Sequence, residues 1–413
     1  MITTFLFDLD DTLLGNDMDT FLPAYFQRLP DEFADLPGAE RLVREVINAT
    51  RAMIGNTDPA RVLVEVFNDC LSEATGWPAE IWRPRLERFH ANGYRQLQAL
   101  TTVRPAARPI LEWAFAQGFE VAIATNPVFG LAAIRERLSW AGVDDYPFAH
   151  ISSIENSHFA KPHPEYYAEI LGRLGRRPDQ ALMVGNDWQQ DIQPAAALGV
   201  STFWITHANG APLASARADA PGGRRGLVDR VDARPLGRGS LEDFQAWAAG
   251  GLPEAAPAPG PALAYLLTGN LSALLGLTAG WPAERWRARP APGEWSLTEL
   301  VCHLRDVELE VNLPRLHTLV ETENPFVAGA DTDPWAIERD YQSQSGPEAL
   351  QAFIAARSES SRYLRTQPAS IWQRTARHAI FGPTQLVEIV GWILDHDLIH
   401  LSQVRKTKER LTA

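Results

Sequence analysis

The fold of the N-terminal half is decided at its start, where the apolar run Phe5-Leu6-Phe7 is followed directly by Asp8-Leu9-Asp10-Asp11-Thr12. Side chains two apart on a strand point to the same side, so Asp8 and Asp10 are expected to face one way. Two carboxylates held that close repel each other unless a cation or a shared proton lies between them. An apolar strand that ends in acidic residues therefore predicts a catalytic edge rather than ordinary packing.

Composition indicates a globular protein with more than one domain. The chain has 413 residues, 45% hydrophobic and 22% charged, and its formal net charge is −13. An acidic chain without a Lys/Arg cluster is a poor candidate for binding nucleic acid, because contacts to phosphates need positive charge. Cys70 and Cys302 are far apart and give no disulfide framework, which is typical of a reducing compartment. We find no signal peptide and no apolar stretch near the ~20 residues of a membrane span. A cytoplasmic protein without a membrane partner is expected.

Residues 1–250 alternate strand-like and helix-like segments. The predicted strands are Thr4–Asp8, Glu120–Thr125, His150–Ser153, Ala181–Gly185 and Ser201–Ile205. Helical patterns lie between them at Pro105–Gln117, Gly130–Ala141 and Pro164–Leu174. This alternation predicts a Rossmann-like α/β fold, a parallel sheet with helices on both faces. Ligands bind to such sheets at the carboxyl ends of the strands.

Residues 17–100 break this alternation and read as helices only. The amphipathic patterns are Asp19–Gln27, Gly38–Ile54, Ala60–Leu71 and Ala79–Leu97. Because this insert follows the carboxyl end of the first strand, it is expected to lie over the active site as a lid. We call residues 17–100 the cap, and the α/β core is then residues 1–16 and 101–250.

A Pro/Ala-rich stretch at residues 251–261 predicts a linker to a separate C-terminal domain, residues 262–413. Its helical patterns are Ala262–Leu275, Ser296–Leu319, Pro347–Arg365 and Pro383–Leu411. Four helices of this length predict an all-α antiparallel four-helix bundle. Pro314 is expected to kink or shorten the second helix.

Polar residues recur where the predicted strands of the N-terminal half end. They are Asp8 and Asp10, Thr125 and Asn126, Lys161 in Ala160-Lys161-Pro162, and Asp187 and Asp191 after Ala181–Gly185. These residue types suit phosphoryl transfer. One carboxylate can attack phosphorus, a second can move protons and a third can help to hold Mg²⁺, while a Lys and a hydroxyl neutralise the transferring group.

In this order the four motifs resemble those of the haloacid dehalogenase superfamily, over roughly residues 1–250. The cap resembles the helical cap of the first cap class of that superfamily. The resemblance implies that Asp8 is the nucleophile, which forms an aspartyl-phosphate, and that Asp10 is the general acid and base. It also implies that Mg²⁺ is held by the Asp8 carboxylate, the Asp10 backbone carbonyl and Asp187, with Asp191 supporting them.

The same resemblance implies that Thr125 and Lys161 bind the phosphoryl oxygens and that Asn126 contacts the substrate. Dehalogenases of the superfamily lack an acidic residue two positions after the nucleophile. Asp10 therefore favours a phosphatase that hydrolyses a small phosphorylated metabolite. A phosphomutase shares these residues and is the lesser alternative.

The C-terminal half carries His303 on its second predicted helix and His396 and His400 on its last. Histidines at i and i+4 share one helix face and can bind one metal, with a third ligand from a facing helix. The competing interpretation is a pair of histidines packed at a helix interface. A zinc protease is not expected, because the thirteen residues after His400 continue the same predicted helix and Asp397 is shorter than the usual Glu.

Glu294-Trp295-Ser296, then His303, and His396-x-x-x-His400-x-x-Gln403 resemble the DinB-like superfamily of four-helix metal-binding bundles, over residues 262–411. The resemblance implies a divalent ion, Zn²⁺ or Ni²⁺, on His303, His396 and His400 with an open position. Thiol-dependent transferases occur in this superfamily, so the chain could be bifunctional. The alternative is that the bundle is a non-catalytic binding or assembly module. A homodimer is left open.

Overall fold

The computed structural model describes residues 1–213, 235–252, 254 and 256–412. These residues divide into two compact units. The first contains Met1–Tyr167 and Pro178–Pro257, and the second contains Ala168–Arg177 and Ala258–Ala413. Within the predicted linker, Pro253 and Ala255 lie outside the described residues.

The strands of the N-terminal half are short and mostly buried. In chain order they are β1 (Thr4–Phe7), β2 (Leu14–Gly15), β3 (Thr102–Val103), β4 (Glu120–Ile123), β5 (His150–Ile151), β6 (Ala181–Gly185), β7 (Ser201–Ile205), β8 (His207–Ala208), β9 (Ala211–Pro212) and β10 (Gly237–Gly239). The helices are α1 (Met18–Arg28), α2 (Leu42–Ile54), α3 (Leu63–Thr75), α4 (Ala79–Ala91), α5 (Ala107–Ala116), α6 (Leu131–Trp140), α7 (Pro164–Leu174), α8 (Gln193–Ala197) and α9 (Leu241–Ala249).

A parallel sheet in the order β10-β7-β6-β1-β4-β5 forms the core of the first unit, which confirms the predicted Rossmann-like fold. Phe7 on β1 lies opposite Ile123 on β4 and Val184 on β6. With this register, β4, β1 and β6 end at the same level of the sheet. The residues that follow them therefore meet at one edge. Strand β10 was not predicted, because its sequence Gly-Arg-Gly contains no apolar run.

Strands β2 and β3 pair antiparallel where the chain leaves the core for the cap and where it returns. Gly15 lies opposite Thr102, and a Cβ at Gly15 would come 2.1 Å from Thr102 Oγ1. Only a residue without a side chain fits this crossing. Between the two strands the cap contains α1–α4. The helix predicted to extend to Leu97 ends at Ala91 and is followed by a 3₁₀ helix at Tyr94–Leu100.

The second unit contains the long helices of the C-terminal half and a small sheet. The helices are α10 (Gly260–Thr278), α11 (Leu297–Val307), α12 (Leu313–Glu321), α13 (Trp335–Glu338), α14 (Gly346–Arg365) and α15 (Leu386–Thr412). The strands are β11 (Phe326–Val327), β12 (Thr375–His378) and β13 (Gly382–Gln385), which form one sheet. Helices α10 and α11 each pack against both α14 and α15, which makes the predicted four-helix bundle.

Two local predictions in this half need correction. The second predicted helix contains a wider, π-helical stretch at Glu308–Asn312, which ends two residues before Pro314. Proline has no N–H to donate and its ring crowds the preceding turn, so the wider turn accommodates it. The last predicted helix begins at Leu386 rather than Pro383, because Gly382–Gln385 pair with β12. The sheet was not predicted, since its strands are short and separated along the chain.

Helix α10 corrects the expectation that no apolar stretch approaches the length of a membrane span. With 19 residues and a mean hydropathy of 1.3, it is long and apolar enough to cross a membrane by length and composition. About two thirds (67%) of its most apolar window is buried inside the protein. A helix that is apolar on most sides is also what the interior of a bundle requires.

Candidate active site and metal centre

The predicted residues of the N-terminal half meet at one cavity. Its volume is about 1510 Å³, and it is lined by Asp8, Asp10, Thr125, Asn126, Lys161, Asp187 and Asp191 together with residues of the cap. The sheet register accounts for this convergence, because β1, β4 and β6 end side by side at the floor of the cavity. The structure thus brings all seven residues together.

Lys161 lies between two buried carboxylates. Its Nζ donates to Asp8 Oδ1 at 2.7 Å and to Asp191 Oδ1 at 2.6 Å. The side chains of Lys161 and Asp191 are 2% and 1% exposed, so this contact is shielded from water. The other Asp191 oxygen, Oδ2, accepts from the backbone N–H of Asp187 at 2.9 Å. Asp191 therefore fixes both the ammonium group and the turn that carries Asp187.

Burial dominates the electrostatics of this group. Burial raises the pKa of Asp8, Lys161 opposes the rise, and Asp191 and Asp10 add to it, so that the pKa is about 8. Burial likewise raises the pKa of Asp191. Burial alone would lower the pKa of Lys161, but Asp191 and Asp8 outweigh it and hold that pKa well above its usual range. Lys161 is therefore a permanent positive charge at the floor of the cavity.

Asp187 and Asn126 are connected through Gln190. Asp187 Oδ1 caps the turn that follows β6 by accepting from the backbone N–H groups of Gln189 and Gln190, at 2.8 and 2.9 Å. Asp187 Oδ2 accepts from Gln190 Nε2 at 3.1 Å, and Asn126 Nδ2 donates to Gln190 Oε1 at 3.0 Å. Gln190 thereby orients both residues. Nothing in the sequence pattern indicated its role.

Asp10 has partners of its own, separate from those of Asp8. Its Oδ1 accepts from Asn16 Nδ2 at 2.7 Å, and its Oδ2 forms an ion pair with Arg137 Nη1. Each of the two carboxylates thus has its own positively charged neighbour, Lys161 for Asp8 and Arg137 for Asp10. Arg137 was missed by the sequence analysis. A signal did exist, because Arg137 lies beside Ile134 and Leu138 on the buried face of α6.

The donor set at the cavity floor fits a divalent cation. Asp8, Asp10, Asp187 and Asp191 supply four carboxylates, whereas Lys161 and Arg137 supply two positive charges, as read from their ion pairs. When all four carboxylates are ionised, the excess is two negative charges in a largely buried place. Carboxylate oxygens are the ligands that Mg²⁺ prefers, and a bound dication would offset the desolvation that raises the pKa of Asp8.

In the C-terminal half, His303, His396 and His400 form a cluster whose candidate ligand atoms all lie within 4.8 Å of one another. The Nε2 atom of His396 lies 3.1 Å from Nε2 of His303 and 3.1 Å from Nε2 of His400. Nδ1 of His400 lies 2.7 Å from the acceptor Gln403 Oε1. The ring proton is therefore on Nδ1, and Nε2 keeps a free lone pair.

Three nitrogens this close cannot all be satisfied by hydrogen bonds. If His396 Nε2 carries a proton, it can donate to one neighbour but has no lone pair with which to accept from the other; if it carries none, its contact with the His400 lone pair joins two acceptors. Burial lowers the pKa of His303 to about 4 and that of His396 to about 2, and it also lowers that of His400. Three neutral imidazoles with converging nitrogens fit a Zn²⁺ or Ni²⁺ ion, which would take all three lone pairs.

A buried charged cluster contains Asp397, which follows His396 in the sequence. Arg357 binds both oxygens of Asp397, and its Nη2 also donates to Glu308 Oε2 at 2.8 Å. Ser360 Oγ donates to Glu308 Oε1 at 2.5 Å. Asp397 is thus engaged by Arg357, consistent with excluding a protease in which it would act as a base. Cys302 is a fully buried core residue, and burial raises the pKa of its thiol to about 11.

Comparison with known proteins agrees with this geometry. Residues 2–199 match the haloacid dehalogenase-like hydrolase family, and residues 266–404 match the DinB superfamily. A phosphoglycolate phosphatase of Pseudomonas putida is 29% identical over 216 residues, covering 49% of this chain and 68% of that protein. A ribulose-1,5-bisphosphate 5-phosphatase of Halopiger xanaduensis is 30% identical over 223 residues, covering 49% of this chain and 84% of that protein.

Among solved structures, this chain is similar over part of its length to YfiT from Bacillus subtilis, described as a probable metal-dependent hydrolase with an unusual four-helix bundle topology. That alignment has 16% identity and a TM-score of 0.34, and it covers 37% of this chain and 87% of YfiT. The phosphatase relatives span about half of this chain, so they do not account for its C-terminal half. The chain belongs to the haloacid dehalogenase-like hydrolases through residues 2–199 and carries a DinB-superfamily domain at residues 266–404.

Proposed function

We propose that the N-terminal half is a phosphatase that hydrolyses a phosphomonoester through an aspartyl-phosphate on Asp8. The observation that carries this proposal is the position of Lys161, whose Nζ lies 2.7 Å from Asp8 Oδ1 at the floor of a cavity. A nucleophilic carboxylate with a permanent ammonium group beside it can receive a phosphoryl group and have the added negative charge neutralised.

The steps follow from the residues. A carboxylate oxygen of Asp8 attacks phosphorus while the bond from phosphorus to the ester oxygen breaks. Asp10 gives a proton to the leaving oxygen, then takes one from the water that attacks the aspartyl-phosphate, and free phosphate leaves. Lys161 and Thr125 bind the phosphoryl oxygens, and Asn126, oriented by Gln190, contacts the substrate.

We propose Mg²⁺ as the cofactor of this half. The Asp8 carboxylate, the Asp10 backbone carbonyl and Asp187 would hold it, while Asp191 keeps Lys161 and the backbone of Asp187 in place. When bound, the ion supplies positive charge that stabilises the phosphoryl oxygens in the transition state. The excess of carboxylates over cations at the cavity floor supports this assignment.

The test is hydrolysis of p-nitrophenyl phosphate by the full chain with and without Mg²⁺. Asp8→Asn should lower kcat by at least about 1,000-fold, because removing a nucleophile disables the chemical step. Asp58→Asn, which changes an exposed carboxylate in a loop of the cap, is the matched control and should keep full activity. Unchanged Mg²⁺-dependent hydrolysis in Asp8→Asn would contradict the mechanism, and isomerisation without phosphate release would favour the phosphomutase alternative.

We further propose that the C-terminal bundle binds one divalent ion, Zn²⁺ or Ni²⁺, through His303, His396 and His400. The convergence of their Nε2 atoms supports this proposal. Three protein ligands leave a position open, as in catalytic rather than structural zinc sites. Metal analysis of the purified chain, followed by a thiol-transfer assay with and without chelator, tests whether the bundle is a second enzyme.

The partner we propose for the whole chain is a phosphorylated metabolite in the cytoplasm, with neither nucleic acid nor membrane involved. The net charge of −13 argues against binding to phosphate backbones. The two cysteines are unpaired, Cys302 being buried and Cys70 partly so, which fits a reducing compartment. Fractionation of cells that produce the full chain would test the location.

A further inference from the structure

The cavity above Asp8 is much larger than the phosphoryl group that its floor can bind. Its volume is about 1510 Å³, whereas pockets for small ligands usually measure about 300–1,000 Å³. Asp8 lies at the end of β1 with the Lys161 ammonium group 2.7 Å away, and the cap helices bound much of the remaining volume. A short phosphate ester would leave most of this space unfilled.

The surface that the cap contributes is largely apolar. Met18, Leu22 and Phe26 recur every four residues on α1, so they form one stripe along that helix, and all three line the cavity. Ile47 on α2 and Leu86 on α4 line it as well. These five side chains are only partly buried, although they pack at the edge of a hydrophobic core or beside it.

Partly exposed apolar side chains on several helices around one cavity are unfavourable in contact with water. An apolar ligand would remove that surface from water, and a hydrophilic one would not. The apolar surface is also continuous with the catalytic floor, since one cavity contains both Asp8 and Phe26. A molecule bound by its phosphate at Lys161 would therefore direct the rest of its body toward the cap.

We propose that the substrate is a phosphomonoester whose alcohol carries a long apolar chain, and that this chain lies against Met18, Leu22, Phe26 and Ile47. The inference rests on the proposed function, since the phosphatase site is what places the phosphate end. The substrate class is then an amphiphilic alkyl or isoprenyl phosphate.

The first experiment measures kcat/KM of the full chain for ethyl, butyl, hexyl and octyl phosphate, below their micelle concentrations. Each added methylene that becomes buried should raise kcat/KM about fourfold. We expect a rise of at least about 100-fold from ethyl to octyl phosphate. A kcat/KM that stays constant or falls with chain length would overturn the proposal. This result is expected if the cavity is large only because the cap is open.

A binding measurement separates this inference from the phosphatase proposal. The affinities of the matching alkyl phosphonates, which cannot be hydrolysed, are measured by calorimetry on the same full chain. If affinity rises with chain length while no ester is hydrolysed, the apolar site stands and the phosphatase is wrong. If Asp8-dependent hydrolysis occurs but the affinity for the phosphonates does not change with chain length, the phosphatase proposal stands and the apolar site is wrong.

Variants locate the chain-binding surface. Ile47→Trp fills part of the cavity and should raise KM for octyl phosphate about tenfold while ethyl phosphate is unaffected. Asn48→Trp adds the same group at the exposed neighbouring position and is the matched control. Leu22→Gln keeps the size of its side chain but makes the surface polar, and it should weaken octyl phosphate selectively. Equal losses for both esters in Ile47→Trp and Leu22→Gln would overturn the assignment.

Discussion

Arg137 and Asp10 form an ion pair at the wall of the cavity although 127 positions separate them in the chain. The Arg137 side chain is 1% exposed and that of Asp10 is 15% exposed. The guanidinium also lies over the ring of Phe129, with its central carbon 4.8 Å from the ring centroid. This pair joins the turn after β1 to α6 and holds in place the carboxylate that we propose to move protons.

The pair makes a first prediction about stability. Asp10→Ala should lower the free energy of unfolding by about 3 kcal/mol, because it leaves a buried guanidinium without its counter-charge. Asp10→Ala/Arg137→Met should be more stable than Asp10→Ala alone, since the double change removes both charges. Urea unfolding followed by tryptophan fluorescence measures this. Additive losses in the double variant would show that the two side chains are not coupled.

A second prediction concerns pH in the metal-free protein. The folded-state pKa of Asp8 is about 8 against an ordinary value of 3.8, so between these values the folded state keeps a proton that the unfolded state has released. Stability should therefore fall as pH rises from about 4 to about 8, by at most about 1.4 kcal/mol per pH unit for this group.

Thermal unfolding in EDTA across this range is the measurement. Asp8→Asn should flatten the slope, because the amide does not titrate. Added Mg²⁺ should stabilise the wild-type chain more at pH 8 than at pH 5, since protons compete with the ion for the carboxylate. A rise in stability with pH in the metal-free wild type would contradict the proposed charge balance.

The third prediction tests the bundle centre. His396→Ala should reduce bound Zn²⁺ or Ni²⁺ from about one equivalent to about a tenth or less, because its Nε2 is the nitrogen close to both others. His317→Ala is the matched control, since His317 is partly exposed on α12 and pairs with Glu321 at 3.1 Å. Elemental analysis after dialysis gives the readout, and equal metal content in the two variants would rule out the three-histidine site.

The fourth prediction concerns the crossing between core and cap. Gly15→Ala should destabilise the protein by about 1–3 kcal/mol, the usual effect of overpacking, because its Cβ would meet Thr102 Oγ1 at 2.1 Å. Thr102→Ala removes that oxygen, so Gly15→Ala/Thr102→Ala should recover much of the loss. Thermal unfolding of Gly15→Ala, Thr102→Ala and the double variant measures these changes in stability. A double variant as unstable as Gly15→Ala would place the strain elsewhere.

Most of the architecture could be predicted from sequence because it depends on local patterns. The strands of the core sheet other than β10 were predicted to within two residues of their observed ends, since short apolar runs alternate there with helical periodicity. The predictions failed where a strand has no apolar run, or where its sequence also fits the pattern of a neighbouring helix. Strand β10 has three residues, two of them glycines, and β13 lies where the helical pattern of α15 predicted a start at Pro383.

The site divides in the same way. Asp8 and Asp187 follow apolar strands, so local pattern placed them at one sheet edge, whereas Lys161 was assigned through the order of the motifs and the family resemblance. The role of Arg137 depends on a contact with Asp10 across 127 positions, and no local periodicity encodes the partner of a buried charge. Gln190 is likewise recognised only by what it touches.

Local patterns in the chain were enough to predict five of the six strands of the core sheet, most of the helices, the acidic edge after Phe7 and the three histidines. These depend on neighbours within a few positions, where side-chain period and residue chemistry suffice. Three features became visible only in the folded chain: Asp10 pairs with Arg137, the three imidazole nitrogens converge, and core and cap together line a cavity of about 1510 Å³. Those features arise from packing between segments far apart in the chain, where burial and charge rather than local pattern select the contacts.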